Sequence, residues 1–287
     1  MAQVHCRKID VAGVETFYRE GGPRDGLVLL APHGYPCSSY EFRHLAARLG
    51  DRFRVLAPDF PGSGYSATPD DFSYDFDGFA QFLGFFADAL GLERFVLYLH
   101  DFGSQIGLRL AIAQPDRIAG LIVQNGDIYE DTLGPGYAGL KTYWDDPTPE
   151  ARRTLGDAIT EDGYRKEFLN GSEAVADRIA PDLWTLHWRL TDARRRVLHL
   201  DVIAGLRENR RWFPRYQAWL ARYRPPALIL WGPNDSYMPI QAGRAWLRDL
   251  PDAELHVVED GGHWLLETHL EDLQPLIRRF LTRLARQ

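Results

Sequence analysis

The chain has 287 residues, 45% hydrophobic and 25% charged, with a net charge of −7 and a pI near 5.7. That length supports a core without metals or disulfides, and the acidic balance argues against nucleic acid or an anionic membrane as the main partner. Cys6 and Cys37 make no disulfide framework, the N-terminal MAQVHCRKIDVAG lacks the apolar run of a secretory signal, and no stretch holds the roughly 18 apolar residues that span a bilayer, so a cytoplasmic setting is expected.

Residues 4–9 and 14–19, parted by Ala12-Gly13, predict a β-hairpin. The apolar run 27–31 predicts a buried strand that ends at His33-Gly34-Tyr35-Pro36. A helix over 40–49, a strand over 53–57 and the turn-rich Asp59-Phe60-Pro61-Gly62-Ser63-Gly64 follow. Phe79, Phe82, Leu83, Phe86 and Leu90 recur at helical spacing. Further strands are expected at 95–99 and 120–123, around a helix over 106–113.

From 127 to 216 no buried strand is predicted, and Trp, Tyr, Arg and Asp are plentiful along helical stretches. Strands return at 227–231 and 254–258, separated by a helix over 241–250. The last helix carries Leu273, Leu276, Ile277, Phe280, Leu281 and Leu284 on one stripe. Apolar strands alternating with helices imply a mostly parallel sheet covered on both faces. The expected architecture is an α/β fold: an eight-stranded core domain of 1–126 and 217–287, with a helical cap, 127–216, inserted after the sixth strand.

The segment Leu97-Tyr98-Leu99-His100-Asp101-Phe102-Gly103-Ser104 runs from a strand through a sharp turn into a helix. That is the context of a nucleophile elbow, in which the middle residue is held above the sheet at a helix N-terminus that favours negative charge. Asp101 occupies that place, although aspartate is also a common N-cap. Ser104, the other candidate nucleophile, lies past the turn. Asp235 follows the 227–231 strand in Gly232-Pro233-Asn234-Asp235, and His263 follows the last strand in Gly261-Gly262-His263-Trp264. Alone each reads as a loop residue. Together, in the order nucleophile, acid, histidine, they predict a catalytic triad at the carboxyl edge of the sheet.

With HGYP and HDFGS in place, the chain resembles the α/β-hydrolase superfamily, and within it the epoxide hydrolase and haloalkane dehalogenase branch. The resemblance covers roughly 10–126 and 217–287. It implies that the backbone N–H groups of Tyr35 and Phe102 form an oxyanion hole, and that the Asp59–Gly64 loop is a structural turn. Leu99, two positions before the nucleophile, departs from the small residue usual in the superfamily.

A carboxylate at an ordinary pKa of ~4 is ionised at pH 7 and can attack saturated carbon without a base, giving an alkyl ester that His263-activated water would cleave. Two substrate classes follow. Halide displacement needs N–H donors, and the Phe102 side chain offers none where the resembling dehalogenases carry Trp. Tyr35 stands where they often carry Asn, and Asn125, at the position of one group's triad acid, is an amide. Epoxide opening needs a proton donor, which the resemblance assigns to cap tyrosines; Tyr216 and Tyr143 are the candidates, with Tyr164 and Tyr137 as weaker alternatives. The expected function is a cofactor-free epoxide-opening hydrolase, with a dehalogenase-like hydrolase or a non-catalytic small-molecule binding protein as alternatives.

His263, Glu267 and His269 lack metal-ligand spacing, so no metal is expected. Arg194-Arg195-Arg196 and Arg210-Arg211 read as a solvated cap face or as pairs with nearby acids. His33 and His100 are expected to shape loops, and Cys37 to be a small buried residue. Trp144, Trp184, Trp188, Trp212 and Phe213 predict an apolar pocket, hence a small apolar organic substrate.

Overall fold

The computed structural model describes residues 2–286. Eight strands form one sheet: β1 (Val4–Val11), β2 (Val14–Gly21), β3 (Val28–Leu30), β4 (Arg54–Pro58), β5 (Phe95–His100), β6 (Ile118–Gln124), β7 (Ala227–Trp231) and β8 (Glu254–Val257). Their spatial order is 1-2-4-3-5-6-7-8. The β1–β2 hairpin and the β2–β4 pair are antiparallel, and every other pair is parallel. The predicted mostly parallel sheet is therefore present.

Alternation along each strand splits the core in two. Leu29, Val55, Val96, Tyr98, Ile122 and Leu228 pack with α1 (Arg43–Leu49) and with the C-terminal helix. Leu30, Leu56, Leu97, Leu99, Val123 and Ile229 pack the opposite face against α2 (Phe76–Ala89) and α3 (Phe102–Ala113). Parallel strands buried on both faces must be apolar throughout, which is why LVLLA, FVLYL and ALILW read as unbroken runs. Asp75 caps α2, accepting from the Gly78 N–H at 2.7 Å.

Among the described residues, β6 and β7 are joined only by helices and loops. These helices are α4 (Ala138–Asp145), α5 (Pro149–Leu155), α6 (Glu161–Leu169), α7 (Asp182–Leu190), α8 (Ala193–Asn209) and α9 (Phe213–Tyr223). α9 continues past residue 216 before the chain re-enters the sheet at β7. The chain closes with α10 (Ile240–Ala245), α11 (Leu265–Thr268) and α12 (Leu270–Leu284). No helix among the described residues is long and apolar enough to cross a membrane.

Strands β3, β5, β6, β7 and β8 are successive parallel neighbours, so their carboxyl ends share one edge. Tyr35, Asp101, Asn125, Asp235 and His263 follow those five strands in turn. The topology alone gathers them, at the edge where open α/β sheets place their sites.

Candidate active site

Asp101 sits between the last residue of β5 and the first of α3, with φ 49° and ψ −130°. A non-glycine residue at positive φ is strained, and two hydrogen bonds hold it there. Its N–H donates to the Asn125 carbonyl at 3.2 Å, and its carbonyl accepts from the Ser104 N–H at 3.0 Å. The carboxylate makes no bond to the N–H groups of α3, so it does not serve as the helix cap. Its Oδ1 instead accepts the Tyr35 N–H at 2.6 Å, and its Oδ2 lies 3.7 Å from His263 Nε2. Gly34 permits this approach, because a Cβ there would stand 2.5 Å from that of Asp101. Phe102 is the first residue of α3, so its N–H has no acceptor within the helix. Leu99 fits beside the turn because Gly107 faces it; a Cβ at 107 would come within 2.5 Å of the leucine.

Behind His263 the chain is tightly bound. His263 Nδ1 lies 2.6 Å from Asp235 Oδ2, and both side chains are fully enclosed. Asp235 also accepts from Asn125 Nδ2 at 2.9 Å, Asn170 Nδ2 at 3.0 Å and the Tyr237 N–H at 2.9 Å. Burial pushes Asp235 up, but His263 and these donors hold it below the usual carboxylate range. Burial likewise pushes His263 down, and the Asp235, Asp101 and Glu167 carboxylates overcome it, holding the imidazole up at about 10. The His263 carbonyl accepts from Gln124 Nε2 at 3.2 Å and lies 3.1 Å from His100 Nε2. Only Nε2 of the His263 ring has no hydrogen-bond partner, and it is the atom that faces Asp101.

Above Asp101 is a cavity of about 200 Å³. Its walls include Phe102, Leu140, Leu155, Ile203 and Leu206, with Tyr35, Tyr137, Tyr237 and Glu167 as polar points. None of the expected tryptophans lines it, nor does Phe213, so aliphatic cap residues make it apolar. Trp144 packs on Tyr137 and under Arg210 instead.

Neither favoured tyrosine lines this cavity. Tyr216 is fully buried on α9, where its hydroxyl accepts from Arg109 Nε at 3.0 Å and lies 3.4 Å from Asn209 Oδ1. The Arg109 guanidinium, which pairs with Asp77 at 3.0 Å, uses that hydroxyl and Asn209 as further acceptors. Tyr143 is half-buried and packs against the core. Tyr164 is buried behind Tyr35, with its hydroxyl 2.9 Å from His199 Nδ1. Tyr137, the other weaker alternative, does line the cavity.

Ser104 is wholly buried beneath the turn, its hydroxyl unpartnered beside Gly126 and away from the cavity. Glu267 forms a two-pronged pair with Arg43 at 2.6 and 2.9 Å, and His269 Nε2 lies 3.1 Å from Asp260. Among the described residues no group of three such side chains could hold a metal ion. Arg194 and Arg211 pair with Asp70 and Glu208, and Arg210 pairs with Glu130. Arg195 behaves differently: it donates to the carbonyls of Gly64, Ser66 and Leu190 and to Thr68 Oγ1, between 2.7 and 3.0 Å. His33 bridges the loops, with Nδ1 2.9 Å from the Gly34 carbonyl and Nε2 accepting the Phe60 N–H at 3.1 Å. Cys37 is buried and its thiol is pushed well up by burial.

Several residues of the site carry no sequence signal of their own. Asn125, at φ 36°, ties three strand ends together: its amide donates to Asp235 and to the Gly232 carbonyl, and accepts the Gly232 N–H. Asn170 reaches in from beyond α6, and its carbonyl accepts the His263 N–H at 3.0 Å. Glu167 and Tyr237 face each other across the cavity wall. Burial, with Asp101 and Asp235 adding to it, pushes Glu167 up to about 7, against the pull of His263 and Tyr237. No motif marks Asn170, Glu167 or Tyr237, and the resemblance marks Asn125 only as an amide where an acid could stand.

A family model described as alpha/beta hydrolase fold matches residues 28–270. An uncharacterized hydrolase of Saccharomyces cerevisiae is 32% identical over 263 residues, covering 90% of each chain. A 2-hydroxy-6-oxononadienedioate/2-hydroxy-6-oxononatrienedioate hydrolase of Pseudomonas putida is 30% identical over 242 residues, covering 83% of this chain and 80% of its own. Among solved structures, the epoxide hydrolase CorEH superposes with a TM-score of 0.77 at 19% identity, over 98% of this chain and all of its own.

Proposed function

This chain belongs to the α/β-hydrolase fold family, and we propose that within it the protein opens small, uncharged epoxides to diols through a covalent ester on Asp101. The observation that carries this reading is the carboxylate at the elbow, turned away from its own helix and held between the Tyr35 N–H and His263 Nε2. Oδ2 is the attacking oxygen. Oδ1, already bound to the Tyr35 N–H, becomes the ester carbonyl and then the oxyanion, stabilised by Tyr35 and Phe102 N–H groups.

His263 changes role between the two steps. While Asp101 is ionised, its charge helps keep the imidazole protonated. Esterification removes that charge, and the imidazole becomes a base for the water that attacks the ester. Asp235, fixed by four donors counting His263, holds the ring for both states.

The relative from Pseudomonas putida is named for a dicarboxylic substrate. The cavity here has no Arg, Lys or His in its described lining and carries Glu167, which disfavours a carboxylated substrate. A departing halide would meet the same carboxyl and would find no Trp or Asn side chain in that lining. A pure binding protein has no use for an unpartnered imidazole nitrogen aimed at a carboxylate.

The test is turnover of styrene oxide beside a bromoalkane by the wild type and Asp101→Asn, with multiple turnovers in heavy-oxygen water. Diol formation, its loss in the variant by about 10³-fold or more, and label in the Asp101 carboxylate are expected. An unlabelled Asp101, or halide release without diol, overturns the reading.

A further inference from the structure

Opening an epoxide leaves an alkoxide unless a proton arrives as the carbon–oxygen bond breaks, so the reading above requires an acid in the cavity with Asp101. The tyrosines expected to supply it do not line the cavity: Tyr216 is held by Arg109, and Tyr143 packs on the cluster that includes Leu155 and Ile203 of its wall without entering it. Tyr137 does reach the cavity, but its phenol is pushed well up by burial and by the adjoining Asp127 carboxyl, which makes it a poor proton donor. We infer that Glu167 is the acid that protonates the departing oxygen, with Tyr237 as the residue that positions its carboxyl. This rests on the Asp101 ester chemistry proposed above.

Placement carries the argument. Glu167 and Tyr237 line the same small cavity as Asp101, and no Arg or Lys in the described lining competes for a carboxylate there. The backbone of Glu167 is pinned to the triad from two sides. Its carbonyl accepts from Trp264 Nε1 at 3.0 Å, next in sequence to His263, and from the N–H of Asn170, whose side chain holds Asp235, at 3.2 Å. An acid on a helix fixed in this way keeps its place relative to the nucleophile.

The charged and titratable groups around it agree with that role. Asp101, Asp235, His263, Tyr35 and Tyr237 face Glu167 from the sheet domain. On its own helix, Arg165 and Lys166 are turned outward to Asp162. Burial and the two carboxylates hold the Glu167 proton up to a pKa of about 7, so a large fraction of molecules carry it at neutral pH. Tyr237 is pushed up chiefly by Glu167 itself, which suits a phenol that donates its hydrogen bond and keeps its proton.

The protons balance. Asp101 Oδ2 bonds to the ring carbon as that carbon–oxygen bond breaks, and the freed oxygen takes the Glu167 proton. With the Asp101 charge gone, His263 releases its proton and Glu167 takes one up through solvent. The neutral imidazole then draws a proton from water as the water adds to the ester carbon, and returns it to the second alcohol as that leaves. Asp101 emerges as a carboxylic acid and gives its proton back to His263, which restores the starting state. Epoxide and water become diol with no other reactant.

The experiment isolates ester formation in the full chain carrying His263→Gln, where deacylation is blocked, using single-turnover mixing with styrene oxide from pH 5 to 9. The expected result is that Glu167→Gln slows ester formation about 10²-fold and abolishes its alkaline decline, which loss of the His263 charge moves upward from about 7 in this background. Glu167→Asp should restore a pH-dependent rate in part. Tyr237→Phe removes the hydrogen bond that lowers the Glu167 pKa, so the decline should move to higher pH. An unchanged rate with the same decline in Glu167→Gln overturns the assignment. If that variant fails to fold, an unmoved decline in Tyr237→Phe does so. If no ester forms while Glu167 is intact, the failure lies with the Asp101 chemistry instead.

Discussion

In the reaction proposed above, His263 acquires two chemistries from its surroundings. Its Nδ1 is committed to Asp235 at 2.6 Å, and its Nε2 is left open toward Asp101 at 3.7 Å. The gap is too long for a hydrogen bond and lies on the side from which the ester would be attacked. His263→Gln keeps a polar group of similar size without a base, so the ester should form once and persist. Intact-mass spectrometry after mixing with styrene oxide should show a single adduct of the substrate's mass on the Asp101 peptide. Recovery of unmodified protein with continuing diol release would contradict the assignment of the base. Asn125 marks the opposite case, a residue whose weight comes entirely from geometry. The sequence identifies it only as an amide where an acid could stand. In the fold its left-handed backbone and its amide join the ends of β5, β6 and β7.

At the scale of elements, what could be read in the sequence followed one rule. Strands β3 to β7, buried on both faces, leave an unbroken apolar signature, whereas β1 is largely exposed and is marked by the Ala12-Gly13 turn, and β8 is only half-buried; all eight lie within a residue or two of the expected bounds. The elbow is legible because it follows such a buried strand, and the partner loops because each follows an expected strand. The helices between β6 and β7 gave no comparable signal about which face meets the site. An aromatic in that region could pack inward, support its own layer or line the cavity, and tertiary contact alone decides. Tyr216 was drawn away by Arg109, a buried cation visible in the sequence only as one more arginine on α3. Arg195 repeats the lesson on α8, where an apparently solvated cluster supplies a clamp to the loop between β4 and α2. Removing that clamp with Arg195→Ala deletes several charge-assisted hydrogen bonds on a half-buried side chain, worth about 2 kcal/mol together. The melting temperature should fall by roughly 3 °C, read by scanning calorimetry, and a shift under 1 °C would show that the clamp does not hold in solution.

For the molecule as a whole, the buried ionisable groups set a pH profile of stability. Glu167 and Asp127 are both pushed up to about 7 by burial, far above their ordinary values of 4.5 and 3.8. The folded chain therefore keeps protons that the unfolded chain releases, and stability declines between about pH 4 and 7 on their account. His263, held up at about 10 from 6.5, contributes stability that is complete below 6.5 and is lost as pH rises through 10. Asp235 opposes this only at the acid end, since its lowered pKa gives stability that is lost as pH falls below its ordinary value of 3.8. The melting temperature should peak at pH ~4 and decline toward pH 8. Glu167→Gln with Asp127→Asn should flatten that decline, and a peak above pH 7 in the wild type would contradict it.

Asn170 belongs to the helical layer, yet it holds Asp235 with its amide and the backbone of His263 with its carbonyl. That layer therefore cannot swing open as a free door. Any opening wide enough to move Asn170 takes one donor from Asp235 and the acceptor of the His263 N–H, so access to the cavity and alignment of the histidine draw on the same residue.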